Sequence, residues 1–191
     1  MKITIRAYAT LKKPLEVFKL SKSYTTVSEV TKRTIEVSEA FGLGVDEEKV
    51  FTIYRDFTID INPGDVVYIT GESGRGKSTL LRDLAEKIEA HPEFGGVVRD
   101  WELKIDPEEI VIESIGKDTE EALEILSYAG LNEAHLFLRR YRELSEGQKH
   151  RYKIAKLIDS GKGTWVLDEF CSTLDRTTAK AVAYCTQKAA R

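Results

Sequence analysis

The sequence is constrained most by a glycine-rich loop that lies between an apolar stretch and the start of a helix. The apolar stretch is 66–69, the helix pattern begins at 80–85, and the loop between them reads Gly71, Glu72, Ser73, Gly74, Arg75, Gly76, Lys77, Ser78, Thr79. Backbone N–H groups aimed at one point, together with the positive end of a helix dipole, form a site for phosphate. The glycines let the backbone approach the oxygens without a Cβ in the way. This order of strand, loop and helix predicts a nucleoside triphosphate site rather than an accidental glycine turn.

Two side chains of this loop have predicted roles in phosphate chemistry. Lys77 is expected to be the cation for the terminal phosphates, and the Ser78 hydroxyl is expected to be a ligand of Mg²⁺.

Composition and hydropathy argue against a membrane-inserted protein and against a secreted one. The 191 residues suit one α/β domain with or without a small appendage, and 32% charged residues with a net charge of −3 indicate a soluble chain without an overall basic field. No stretch is long or apolar enough to insert in a membrane, and the N-terminus does not resemble a secretion signal. Cys171 and Cys185 show no metal-binding spacing, so a reducing, cytoplasmic location is expected.

The first 50 residues are predicted to form an accessory layer. The alternation at 2–6 and the apolar run at 15–18 predict strands. Thr26 or Ser28 is expected to cap a helix that Gly42 and Gly44 stop. The apolar residues of this helix are expected to face the core: Val30, Val37, Ala40, Phe41.

The same region has an uneven charge. Residues 1–33 hold eight lysines and arginines against two acidic residues. Two interpretations stay open, a surface for nucleic acid or an acidic partner, and a solvated strand edge that lysines protect. No aromatic residues alternate with the charges as a base-stacking surface would require, which favours the strand edge and leaves nucleic-acid binding unsupported.

The remaining pattern predicts alternating strands and helices. A strand at 57–61 ends at Pro63 and Gly64, whose type II turn is expected to fold the chain back into the strand before the glycine loop. Short strands are predicted at 97–98 and 109–112, and helices at 118–129, 132–141 and 177–188, with Asn132 as a cap. Three arginines lie at or just after the end of the helix predicted at 132–141. They either contact phosphate or a partner, or form a solvated helix end: Arg139, Arg140, Arg142.

A second motif consists of Leu144, Ser145, Glu146, Gly147 and Gln148. Ser145 and Gln148 have the spacing of a capping box, which predicts a helix that starts here with its N–H groups exposed. An apolar strand at 164–167 then delivers Asp168 and Glu169 at its carboxyl end, where open parallel sheets place their ligands.

Together these motifs resemble those of ABC-type ATPases. Residues 144–148 resemble the ABC signature, Asp168 and Glu169 the Walker-B pair, and 172–175 the D-loop, and Gln148 precedes Asp168 by the expected 20 positions. The resemblance implies ATP and Mg²⁺ as cofactors and an α/β P-loop NTPase fold. This fold has a mostly parallel core sheet, an N-terminal antiparallel β layer and a small helical subdomain. The predicted boundaries are 1–50 for the accessory layer and 51–191 for the ATPase domain, with 113–145 as the helical subdomain.

The resemblance also implies roles for individual residues. Asp168 would hold Mg²⁺ through its water shell, and Glu169 and Lys77 would be catalytic. The helix start at 145–148 of one subunit would face the triphosphate bound by the other, and Asp175 would lie at the interface. A head-to-tail homodimer in the ATP state is therefore expected.

The chain departs from the family pattern in several places. No glutamine lies between the phosphate loop and the signature, so Glu113 is the best positional substitute as a metal ligand. Phe170 and Cys171 follow the catalytic glutamate and are interpreted as packing residues. The candidates for stacking on adenine are aromatic: Phe41, Phe51, Tyr54.

The end of the chain is the largest departure. The sequence stops before the strand and switch histidine of the family, and no histidine replaces it among the three present: His91, His135, His150. Three interpretations stay open: a truncated ATPase domain, a natural split protein, or a variant that hydrolyses ATP weakly. An unpaired sheet edge that a partner protein can cover is also expected.

The amino-acid sequence over most of the chain also resembles that of soluble archaeal ABC ATPases, some of which are fused to a predicted acetyltransferase domain. The predicted function is Mg-dependent ATP binding and hydrolysis in a soluble, non-transporter role. A transporter ATPase subunit and a non-hydrolytic nucleotide switch are the alternatives.

Overall fold

The computed structural model describes residues 4–7, 16–27, 29–43 and 49–190. Its strands are β1 (Thr4–Ala7), β2 (Glu16–Thr26), β3 (Lys49–Ile61), β4 (Val67–Thr70), β5 (Val97–Arg99) and β6 (Thr164–Val166). Its α-helices are α1 (Lys32–Phe41), α2 (Lys77–Glu89), α3 (Thr119–Tyr128), α4 (Ala134–Phe137), α5 (Glu146–Asp159) and α6 (Arg176–Ala189). Short 3₁₀ turns lie at Pro92–Phe94, Asp100–Glu102, Ile112–Ser114 and Tyr141–Glu143.

Within the described residues, the strands form three two-stranded sheets. β1 pairs with β4 and β2 pairs with β3, both antiparallel, while β5 pairs with β6 in parallel. The antiparallel N-terminal layer is confirmed, but the expected mostly parallel core sheet is reduced to the β5–β6 pair. A parallel pair requires a long crossover, and here the helices α3 to α5 supply it.

The Pro63–Gly64 turn forms, but it does not make a hairpin. Gly64 has a φ of 85°, and the Asp65 N–H donates to the Asn62 carbonyl at 3.0 Å, as in a type II turn. The strands on either side of the turn nevertheless lie in different sheets, because β3 pairs with β2 and β4 pairs with β1. A turn sequence fixes a reversal of the chain, whereas strand pairing depends on partners distant in sequence.

Buried apolar side chains form two clusters. The sheet core joins β2, β3 and α2 to the ends of β5 and β6, and contains Phe18, Leu20, Tyr54, Ile59, Ile61, Leu80, Leu84, Ala85, Ile88, Phe94, Val97, Val166. The helical core joins α3, α5 and α6, and contains Val111, Ile115, Ala122, Ile125, Leu126, Ala129, Leu131, Leu136, Leu144, Tyr152, Ile154, Ala155, Val182. Val166 of β6 belongs to the sheet core, whereas Leu167 and Phe170, which follow it, pack against the helical core. The segment after β6 therefore connects the two cores.

Helix α1 differs from its prediction in both its cap and its packing. Thr31, not Thr26, caps it through a reciprocal pair of hydrogen bonds with Thr34, and Gly42 ends it in the left-handed conformation. The predicted core residues Val30, Val37, Ala40 and Phe41 are exposed, Phe41 by 75%. Ser28 and Gly44 lie outside the described residues, as do 1–3 and 8–15 of the predicted strands and basic segment.

The predicted strand at 109–112 and helix at 132–141 are wrong for a common reason. The N–H groups of Val111 and Tyr141 donate to the carbonyls of Arg139 and Glu109 at 3.0 Å each, so these two segments bond to each other. The contact amounts to a single antiparallel bridge between Ile110 and Arg140. Backbone groups of 139–141 that bond to 109–111 cannot form helical hydrogen bonds, so the helix is limited to Ala134–Phe137. Its N-cap residue is Glu133, not the predicted Asn132.

Helix α3 follows its prediction more closely. Asp118 caps it by accepting the Glu121 N–H, and it ends before Gly130, as expected. Among the apolar side chains of 118–129, Leu123 is exposed, by 40%, and the others are buried or half-buried. Of the three arginines, Arg140 and Arg142 both form ion pairs with Glu108, so intramolecular pairing accounts for them better than a free basic surface.

Candidate nucleotide-binding site

The glycine loop between β4 and α2 has the backbone that its sequence predicts. Gly74 and Gly76 have φ values of 73° and 81°, in the left-handed region that favours glycine. A Cβ at Gly76 would lie 2.2 Å from Cγ2 of Ile53, so this glycine is also required by the close approach of β3. Residues 71–75 of the loop are exposed, and Thr79 is half-buried in the first turn of α2.

The start of α2 leaves its N–H groups available. Among helices of ten or more residues in the described part of the chain, four begin with a side chain that accepts a backbone N–H: Thr31, Asp118, Ser145, Asp175. Helix α2 begins at Gly76 without any side-chain cap. The first turn of a helix has four N–H groups that need partners, and a phosphate can supply the acceptors.

The charged side chains of the loop contact the loop itself. The Lys77 ammonium donates to the Glu72 carbonyl at 2.8 Å, and the Arg75 guanidinium forms an ion pair with the Glu72 carboxylate at 2.8 Å. Both side chains of the ion pair are exposed, so the pair contributes little stability. A single backbone carbonyl holds the Lys77 ammonium, and a phosphate oxygen is a stronger acceptor for it.

Helix α2 and the end of β6 meet at Ser78 and Asp168. The Ser78 hydroxyl donates to Oδ1 of Asp168 at 3.1 Å, across 90 positions of sequence. A hydroxyl and a carboxylate side by side are hard oxygen ligands of the kind that Mg²⁺ binds. No group of three or more histidine, cysteine or carboxylate side chains that could hold a metal occurs in the described residues. The chemistry of the two side chains fits a site that would hold Mg²⁺.

Asp100 is a member of this site that the sequence reasoning missed. It directly follows β5, whose partner is β6, and its Oδ1 accepts the Asp168 N–H at 3.3 Å. Burial raises the pKa of Asp100, an effect that the hydrogen bond from Asp168 and the nearby Lys153 oppose. The signal available in the sequence is a carboxylate at the end of the short strand predicted at 97–98. The strand predicted at 109–112 favours Glu113 instead, and that strand is wrong.

The loop after Asp168 has an uncommon backbone. Glu169 and Cys171 have φ values of 53° and 60°, although neither is glycine. The Glu169 N–H donates to Asp168 Oδ1 at 3.0 Å, and the Glu169 carbonyl accepts the Ser172 N–H at 2.9 Å. The Glu169 side chain is exposed. Phe170 and Cys171 pack against the helical core, which confirms them as packing residues, and burial raises the pKa of the Cys171 thiol to about 11.

The signature segment starts α5 as its capping box predicts. The Ser145 hydroxyl accepts the Gln148 N–H at 3.3 Å, and the Gln148 side chain accepts the Ser145 N–H at 2.9 Å. Gly147 lies against the D-loop, because a Cβ there would be 3.0 Å from Cδ2 of Leu174. The exposed Glu146 forms an ion pair with Lys149.

Asp175 has a structural role within the chain. Its carboxylate accepts the N–H groups of Thr177 and Thr178 at 2.9 and 3.1 Å, which caps α6. These hydrogen bonds lower the pKa of Asp175. Its assignment to nucleotide binding stays a prediction.

Three further candidates form no hydrogen bond with Ser78 or Asp168 in the described part of the chain. Glu113 is exposed on the 3₁₀ turn Ile112–Ser114, and in the described part of the chain its side chain forms no hydrogen bond or ion pair. Tyr54 is buried in the sheet core with its hydroxyl bonded to Asp83, so its ring is not available for stacking. Phe51 is 63% exposed and stands two residues before Ile53 on the same strand.

Comparison with known proteins assigns the family. The family model described as ABC transporter matches residues 54–172, which hold the glycine loop, the signature and both Walker-B carboxylates. The chain belongs to the ABC transporter family. Its glycine loop is thus the P-loop of an ABC-type ATPase, and its fold is that of a P-loop NTPase.

Individual relatives in this family are ATP-binding proteins from bacteria. The cytochrome c biogenesis ATP-binding export protein CcmA of Novosphingobium aromaticivorans is 31% identical over 64% of this chain and 67% of its own length. The molybdate import ATP-binding protein MolC of Haemophilus influenzae is 30% identical over 64% of this chain and 56% of its own length. The methionine import ATP-binding protein MetN of Clostridium tetani is 30% identical over 75% of this chain and 55% of its own length.

These comparisons support the ABC resemblance but not its narrower form. The relatives are named as import or export ATP-binding proteins, so they give no support to the archaeal, acetyltransferase-linked group or to a non-transporter role. Among the described residues, no helix has the length and apolar character needed to cross a bilayer.

Proposed function

We propose that this chain is the ATP-binding subunit of an ABC transporter, which binds Mg-ATP at the P-loop and hydrolyses it in a head-to-tail dimer. The contact between Ser78 and Asp168 carries the nucleotide part of this proposal, because it joins the two motifs that hold metal and phosphate. The transport role rests on the functions for which CcmA, MolC and MetN are named. The soluble role expected from the sequence is the weaker candidate.

Each residue of the site has a distinct role in this proposal. The uncapped N–H groups of α2 and the Lys77 ammonium bind the phosphates, and Lys77 exchanges the Glu72 carbonyl for phosphate oxygens. Ser78 and Asp168 hold Mg²⁺, which supplies positive charge for the phosphate oxygens when bound. Glu169 accepts a proton from, or orients, the attacking water.

The second half of the site comes from a second copy of the chain. Ser145 and Gly147 at the start of α5 face the terminal phosphate bound by the partner, since this helix end also presents N–H groups. Within one chain, no hydrogen bond among the described residues joins 71–79 to 145–148. In the proposed dimer, the second subunit brings the two motifs together.

Phe51 is the proposed adenine contact. It is two residues before Ile53, whose side chain lies against Gly76 of the P-loop, and the β2–β3 pairing shifts register between these two positions. Its exposed ring can stack on a base.

The test of hydrolysis compares wild type with Glu169→Gln and Lys77→Ala. Glu169→Gln is expected to lower turnover by about 10²-fold or more, because a general base is lost, while dimers accumulate with ATP and magnesium. Lys77→Ala is expected to weaken ATP binding and to form no dimers. Steady-state ATPase assays, labelled-ATP titration and light scattering measure these effects. Equal turnover in wild type and Glu169→Gln would overturn the role of Glu169.

The transport role has a separate test. A tagged chain expressed in its native cells is expected in the membrane fraction, and detergent extraction should recover it with one integral membrane protein in a fixed ratio. The soluble role predicts instead that the chain stays in the supernatant at low and high salt.

A further inference from the structure

We propose that His150 is a positioning residue, which holds the loop carrying Glu169 in its active shape through the hydrogen bond from the Cys171 N–H. This inference rests on the proposed ATPase function, because it assigns a residue that acts through Glu169. Neither the sequence pattern nor the comparisons give His150 a role.

The contact itself has a defined direction. The Cys171 N–H donates to Nε2 of His150 at 3.0 Å, across 21 positions of sequence. A backbone N–H can only donate, so Nε2 carries the lone pair and the ring is neutral with its proton on Nδ1. The half-buried ring also lies 6.2 Å from the ring of Phe170. His150 therefore contacts two of the three residues that follow Asp168.

The loop needs such support. Left-handed backbone at Glu169 and Cys171 is unfavourable for residues with a Cβ and persists only where the surroundings hold it. The other hydrogen bonds of these two residues stay within 168–174, and the two nearest Glu169 run from Glu169 to Asp168 and from Ser172 to Glu169. Among the hydrogen bonds that Glu169 and Cys171 form with described residues, the one to His150 joins the loop to another element, helix α5.

The surroundings keep His150 in the accepting form. Burial lowers its pKa, and Lys153 acts in the same direction, while Asp100 opposes the shift. These two side chains are the charged groups that influence the ring. The geometry also has a functional consequence, because α5 begins at Ser145, which the proposed dimer places at the partner's triphosphate. A movement of α5 on nucleotide binding is thus passed to the loop that carries Glu169.

The experiment compares His150→Gln with His150→Leu. Glutamine keeps an acceptor oxygen for the Cys171 N–H, whereas leucine fills similar space without one. His135→Leu, at an exposed position of α4, is the matched control. His150→Leu is expected to lower kcat by about tenfold or more, with KM and ATP affinity within about twofold of wild type. His150→Gln should recover most of this loss, and His135→Leu should match wild type.

A second measurement keeps this test independent of hydrolysis. Amide hydrogen exchange at Cys171 should be slow in wild type and His150→Gln and faster in His150→Leu. His150→Ala makes the same comparison if His150→Leu does not fold. Equal kcat or equal exchange in the leucine and glutamine variants overturns the role of His150. If wild type binds ATP but shows no Glu169-dependent turnover, the proposed hydrolysis fails, and the exchange rates then decide the His150 contact alone.

Discussion

Gly76 shows how tightly single residues shape the P-loop. Its left-handed φ and the 2.2 Å that would separate a Cβ there from Ile53 exclude other side chains for two separate reasons. Gly74 has a similar φ of 73° but no atom within 4 Å of such a Cβ. A substitution at Gly74 therefore introduces backbone strain alone, whereas one at Gly76 introduces both strain and a steric clash.

Replacing each glycine by alanine tests this difference. Gly74→Ala is expected to cost about 1–2 kcal/mol of unfolding free energy from left-handed strain alone. Gly76→Ala is expected to cost about 2–4 kcal/mol, because a clash with Ile53 is added. Urea unfolding without nucleotide measures both values. Ile53→Ala should relieve part of the Gly76→Ala cost, and simple additivity in the double variant would contradict the clash.

Phe51 gives a second prediction at this scale. Phe51→Ala should weaken ATP binding by about tenfold or more, because one base–aromatic stack is lost, and should leave binding of inorganic triphosphate unchanged. Phe41→Ala removes another exposed ring, from α1, and should change neither the affinity for ATP nor the affinity for inorganic triphosphate. Titration with a fluorescent ATP analogue measures the affinities. A loss in Phe41→Ala with none in Phe51→Ala would move the base to α1.

At the scale of elements, the predictions made from local chemistry succeeded for the start of α5 and for the P-loop, but not for the caps of α1 and α4, which are Thr31 and Glu133. The cap of α5 is a single side chain that bonds to an N–H group three residues away, so Ser145 could be identified from its spacing to Gln148. The bounds of α3 also follow the predicted range 118–129. The glycine turns of the P-loop have the same local origin. Of the site, the Ser78–Asp168 pair could be predicted from these motifs and their resemblance.

What failed depended on partners distant in sequence. The apolar residues of α1 are spaced as in an amphipathic helix, but no other described element buries them. Asp100 and His150 were missed because each acts through a backbone N–H on another element, Asp168 and Cys171. The sequence marks Asp100 only as a carboxylate after a short predicted strand, and it carries no comparable signal for His150.

Ser145 and Asp118 provide a matched pair of caps. Replacing either with alanine should cost about 1 kcal/mol, because one helix loses its side-chain acceptor. In the Glu169→Gln background, Ser145→Ala should also lose ATP-dependent dimers, since Ser145 faces the partner's phosphate in the proposal. Thermal unfolding and light scattering separate the two effects. If Asp118→Ala loses dimers equally, general stability rather than nucleotide contact explains the result.

At the scale of the whole molecule, stability is expected to depend on the charge of His150. Its pKa is lowered on folding, so below the ordinary value of 6.5 the unfolded chain binds a proton that the folded chain does not. This contribution makes the folded state less stable as pH falls below 6.5 and disappears above it. His150→Gln removes it. Urea unfolding from about pH 7.5 to about pH 5 should therefore show a steeper loss in wild type than in the variant, and parallel curves would contradict the assignment.

The segment after β6 belongs to both hydrophobic cores. Val166 is buried in the sheet core, while Leu167, Phe170 and Leu174 pack on the helical core. A rigid-body rotation of the helices against the sheet must therefore displace Glu169 relative to the P-loop. If the proposed hydrolysis holds, such a rotation would also change the rate of ATP cleavage, so that movement of the helices and chemistry at Glu169 would be linked within one protomer.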